Sequence, residues 1–231
     1  MKHRPTPSPR ALRAAPWLLA PFLATTLVSL PSCELVGGMM ENARRNSTHI
    51  VEAEYEGLGG KSFAVLVTAD RAIQGEHPGL VEHLTGKITE RLAVAANKPT
   101  PAGVIPADAV LRYQSRHPDW ASKPYDKLAE DLGGIQRLVL VEVVEYRLNE
   151  VGNAYEWDGA ASGSVRVVEV DGGAIDTFAF DKLVNVRFPD KKGVTPDDVS
   201  RSAMTSALAL RFIDRTTWNF YAHEEPMEPE Y

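Results

Sequence analysis

The residues of this 231-residue chain whose types could do chemistry are few. There is one thiol, Cys33, and six histidines. A Gly-Lys pair stands in Leu84-Thr85-Gly86-Lys87-Ile88-Thr89. A phosphate-binding loop would need an earlier glycine where Val81 stands and a Ser or Thr where Ile88 stands, so this stretch reads as a helix face. His77 and His83 are six apart and do not share a helix face for a metal. His49, His117 and His223 fall in expected loops or chain ends, outside any HExxH or His/Cys cluster. No G-x-S-x-G elbow is present. The expectation is a non-enzyme with no cofactor and no metal site. A rival, an envelope hydrolase with Asp, Glu and His brought together only by folding, stays open.

Cys33 is different because of what precedes it. The only charges before it are basic (Lys2, Arg4, Arg10 and Arg13), and residues 14–31 (AAPWLLAPFLATTLVSLP) are uncharged. A basic start, an apolar stretch and small residues before a cleavage point are the layout of an export signal. Leu30-Pro31-Ser32-Cys33 resembles a bacterial lipobox, with leucine three before the cysteine and a small residue just before it. That resemblance implies cleavage between Ser32 and Cys33, a diacylglyceryl thioether on the thiol and acylation of the new amino terminus. Proline at 31 departs from the usual small residue. An uncleaved membrane anchor, disfavoured by Pro16 and Pro21, and a simple cleaved signal with Cys33 incidental are the alternatives. Two or three acyl chains, at about 0.8 kcal/mol per buried CH₂, hold a protein to a membrane stably.

The rest of the chain is acidic. Removing the four leading basic residues from 25 Lys and Arg leaves 21 against 31 Asp and Glu, a net charge of −10. Such a body is a poor candidate for coating nucleic acid, which depends on neutralising phosphates. Residues 1–32 therefore read as a signal peptide, 33–48 as a polar tether, 49–222 as one domain and 223–231 as an acidic tail. Within the domain, alternation over 50–56 and the apolar run 62–68 predict strands. Pro78 opens a helix with Val81, Leu84, Ile88 and Leu92 on one stripe. Residues 98–103 form a Pro-rich loop, 104–105 a short strand, and 106–114 and 125–132 helices. Strands over 137–148, 163–170 and 175–188 make a meander, and 194–217 is a closing helix, with Asp197 and Asp198 suited to its first turn. The order β-β-α-β-α-α-β-β-β-α gives an α/β (α+β) sandwich. Its mixed sheet should have about five to six strands, with helices packed on one or both faces.

Two aromatic groups are candidate partner-binding residues. Tyr155 and Trp157 lie between two expected strands, and Trp218, Phe220 and Tyr221 follow the last helix. The second group also reads as a latch tying the chain end to the sheet.

The element order, with SFAVLVTAD, VEHLTGKITERL, VIPADAV, YDKLAEDLGGIQRLVLVEVVEY and SGSVRVVEVDGGAIDTF in turn, resembles the curli-secretion (CsgG-like) lipoproteins. The lipoprotein activators of penicillin-binding proteins and the amino-terminal domain of the Tol-system β-propeller protein are similar. This resemblance covers about residues 62–217 and implies an anticodon-binding-like fold and a role in envelope assembly. Residues around Glu142 stand where the family often has a glycine. The chain shows no long in/out alternating hairpins for a pore, and sixteen residues of tether reach only about 50–60 Å. The expectation is a membrane-anchored envelope lipoprotein with its domain in the periplasm, acting by contact with another envelope protein or itself. A subunit of an oligomeric secretion or transport complex is the alternative.

Overall fold

The apolar run FAVLVTA makes β2, Phe63–Ala69, and its side chains are buried on both faces. Alternate residues divide between two cores. Phe63, Val65 and Val67 enter one, and Ala64 and Leu66 enter the other. In the computed structural model, residues 48–95, 103–172 and 177–226 are described, and all lie within the compact unit Ala43–Tyr231. The main sheet has the order β2-β3-β4-β5, where β3 is Arg137–Arg147, β4 is Gly159–Glu169 and β5 is Phe180–Phe188. β3 runs parallel to β2, whereas β3–β4 and β4–β5 are antiparallel. The sheet has four strands; β1 (Thr48–Val51) and β6 (His223–Pro226) form a separate antiparallel pair.

Among the described residues five α-helices pack against this frame: α1 (Arg71–Glu76), α2 (Leu80–Ala95), α3 (Ala107–Arg116), α4 (Tyr125–Asp131) and α5 (Arg201–Thr217). Leu80, Leu84, Ile88 and Leu92 line up on α2, and Met204, Leu208 and Phe212 on α5. Both stripes bury against the larger core, and each such side chain contributes about 1.5–3 kcal/mol of transfer free energy. Arg91 of α2 is paired with Asp214 of α5. On the opposite face, Val110 of α3 and Leu128 and Ala129 of α4 cover Ala64, Leu66, Leu138 and Val168.

Several expectations are corrected. The first strand stops at Val51, because the amides of Glu54 and Tyr55 both donate to the Asn219 carbonyl at 2.9 Å and pull the chain off the ribbon. α1 has no counterpart in the sequence reading. The closing helix starts at Arg201, not 194, since the Ser200 hydroxyl caps it and the Asp198 carboxylate instead accepts from the amide and hydroxyl of Thr195. Strand β4 starts at Gly159. Residues 104–105 contribute only a parallel bridge from Val104 to Phe63. His223–Pro226, expected as solvated tail, is strand β6, held by pairing with β1. The signal, the tether up to residue 47, most of the 98–103 loop, positions 173–176 and residues 227–231 lie outside the described residues, while Thr48, expected as the end of the tether, opens β1.

Candidate functional site

Two features single out β5. It is an edge of the main sheet, and the helices of the second face do not reach it. Its nine residues alternate: Val184 and Val186 point into the larger core, while Asp181, Leu183, Asn185 and Arg187 are exposed. Leu183 is 73% exposed. Neighbouring strands continue this open face. Arg166 of β4 is ion-paired with Glu142 of β3 and donates to Ser164. A β-bulge between Val143 and Glu145 leaves Val144 outward and 64% exposed, while Val143 and Tyr146 on either side remain buried. At the free edge of β5 a groove of about 480 Å³ runs between residues 182–187 and a wall containing Glu52, Glu54, Trp218 and His223. By contrast, the β2 edge is bonded at its start, where the Phe63 amide donates to the Gly103 carbonyl and Ile105 donates back.

The residues expected to bind a partner are divided by the structure. Tyr155 is 84% exposed, beside Val151 at 96%, in the connection between β3 and β4. Trp157 turns inward. It is 6% exposed, and its indole N–H donates to the Val199 carbonyl at 2.7 Å. Its own amide donates to the Val194 carbonyl. Trp157 thus fastens residues 194–199 to the sheet and presents no surface to a partner. Phe220 is buried against Tyr55 and Phe180, with ring centroids 5.9 and 5.7 Å away. The latch reading therefore describes Phe220. Trp218 is half-buried, stacked on His223 at 4.5 Å with the Arg215 guanidinium 5.2 Å from its ring, and it lines the β5 groove. The Tyr221 hydroxyl shares a hydrogen bond with Thr217. Ser32 and Cys33 lie outside the described residues.

Other polar clusters serve the scaffold. Asp131 and then Tyr113 hydrogen-bond Lys123 and raise its pKa, so it stays a cation and is unsuited to act as a base. Burial, and then nearby Arg201, lower the His77 pKa; its ring packs edge-on against Tyr146 at 4.7 Å. His77 and His83 both line a shallow groove between the starts of α2 and α5. Among the described residues no group of three or more His, Cys, Asp or Glu is placed to hold a metal ion. No described helix is long and apolar enough to cross a membrane.

The residues missed by sequence reasoning are Asp181, Leu183, Asn185 and Arg187. Their signal was present as the alternation in FDKLVNVRF, but sequence does not say which face of a strand a helix will cover.

No family model and no curated protein matches the chain. Solved structures do. The PelC dodecamer from Paraburkholderia phytofirmans is 13% identical, with 77% of this chain and 99% of that one covered and a TM-score of 0.41. The lipoprotein GNA1162 from Neisseria meningitidis is 14% identical, with 65% and 94% covered and a TM-score of 0.40. At these TM-scores the likenesses carry no inference about what this chain does.

Proposed function

We propose that this protein is a non-catalytic lipoprotein of a bacterial envelope, tethered to a membrane through Cys33, that works by protein–protein contact. The observation that carries the contact role is the open part of the sheet's second face, where exposed Leu183 and Val144 lie among charged residues beyond the reach of the helices that cover Leu138 and Val168. An apolar and charged surface on a rigid sheet, next to a free strand edge, suits recognition of another protein. The lipobox-like Leu30-Pro31-Ser32-Cys33 supports the anchor, and the resemblance to envelope lipoproteins supports the location.

The anchor is tested by growing cells with a clickable fatty acid and comparing wild type with Cys33→Ser. The wild type is expected as a shortened, lipid-labelled band and the variant as an unlabelled precursor. A labelled, shortened variant would refute the assignment.

A further inference from the structure

We propose that the β5 edge binds the β5 edge of a second copy of this chain, antiparallel and about a two-fold axis through Val184. The inference rests on the contact role proposed above and names its partner.

Asp181 and Arg187 are both exposed on the open face, three residues before and after Val184. Neither side chain has a hydrogen-bond or ion-pair partner among the described residues: Asp181 stands across from Arg166 of β4, but that guanidinium is paired with Glu142, and Lys182 is paired with Glu54. In an antiparallel pair centred on Val184, residue 181 of each copy stands opposite residue 187 of the other. Directly opposed Cβ atoms are about 4.5–5.5 Å apart, and an opposite-charge pair there is favourable. One strand thus carries both halves of a complementary pattern, and the symmetry uses each pair twice. The same register sets Leu183 opposite Asn185 and brings the two exposed leucines within diagonal reach, so each covers the other. On the helix side it sets Phe180 opposite Phe188.

The edge is available for this pairing. The groove beside residues 182–187 leaves room for a strand. Among the described residues, the Arg187 carbonyl alone along this edge accepts a side-chain hydrogen bond, from Arg211 at 2.8 Å. A lysine on an edge ordinarily deters pairing, but Lys182 is drawn aside to Glu54. The two four-stranded sheets would join into one continuous sheet, with no unbonded edge between them.

The test uses the full-length protein extracted in mild detergent, its mass followed by sedimentation over a concentration series. Wild type is expected as a dimer. Arg187→Asp and Asp181→Arg should each weaken the dimer at least about tenfold, because two attractive contacts become repulsive. The double variant Asp181→Arg/Arg187→Asp should restore it. Circular dichroism melts matching wild type show that each variant is folded. Independently of charge, Leu183→Cys combined with Asn185→Cys should give a disulfide-linked dimer under mild oxidation. A monomer, a ring-sized assembly, insensitivity to the single reversals, failed rescue in a folded double variant, or no disulfide-linked dimer would each overturn the proposal. Lipid labelling at Cys33 reads the anchor separately, so a monomeric result leaves the tether standing.

Discussion

Arg137 shows what a buried cation requires. Only 5% exposed at the start of β3, it donates to the Gly57 carbonyl at 3.1 Å and to the Gln136 carbonyl at 2.8 Å, pairs with Asp171 and lies 3.6 Å from Glu169. The Tyr55 hydroxyl donates to Glu169 at 2.8 Å; burial and then that bond push its pKa up to about 12. The cluster ties the chain around 55–61 to the ends of β3 and β4, and an unpaired guanidinium there would be costly. Hydrogen bonds from Lys61 and then Arg137 hold Asp171 at about 2, below its ordinary 3.8. A depressed carboxylate pKa stabilises the fold above the unfolded value, and that stability is lost as pH falls through the folded value. Asp171→Asn is therefore expected to lower stability near neutrality by about 1 kcal/mol, a figure kept small because the carboxylate is partly solvated. The gap to wild type should close between about pH 4 and pH 2. Thermal melts across that range check it, and a gap constant with pH would contradict the pairing.

Among the elements, β3 and β4 show how closely the strands are fitted. A Cβ on Gly163 would lie 2.3 Å from the Glu142 carbonyl oxygen and 3.1 Å from the Phe212 ring, next to the bulge that turns Val144 outward. Backbone cannot give way there as a flexible side chain can. Gly163→Ala should cost about 1–3 kcal/mol by overpacking, read as a lowered denaturant midpoint; an unchanged midpoint would mean the bulge tolerates the methyl group. Elements with long, regular periodicity were legible in the sequence. The both-faces-buried run of β2, the β-rich β3 and the Leu84–Ile88–Leu92 stripe of α2 lie where their patterns place them. Short elements were not. Six-residue α1 has less than two turns of pattern and is marked only by Asp70, whose side chain accepts from the Ile73 amide. HEEP of β6 carries no strand signal, and its structure is set by pairing with β1, a contact about 175 residues away in sequence. The candidate aromatics between β3 and β4 divide for a related reason: Tyr155 and Trp157 carry the same aromatic signal in sequence, and the Val199 carbonyl that accepts from the Trp157 indole N–H marks which ring is buried.

For the molecule as a whole, helices cover one face of the sheet, and on the other they cover β2, the start of β3 and the end of β4, leaving an exposed, partly apolar surface that runs from Val144 of β3 to β5. The anchor proposed at Cys33 would raise the effective concentration of partners on the same membrane, so a modest surface would suffice for binding. The most direct test is photo-crosslinking in intact cells, with a photoreactive residue at Leu183 on the open face or, as control, at exposed Glu82 on α2. A discrete protein crosslink in the membrane fraction is expected from position 183 and none from position 82. No crosslink at 183, or the same products from both positions, would contradict it.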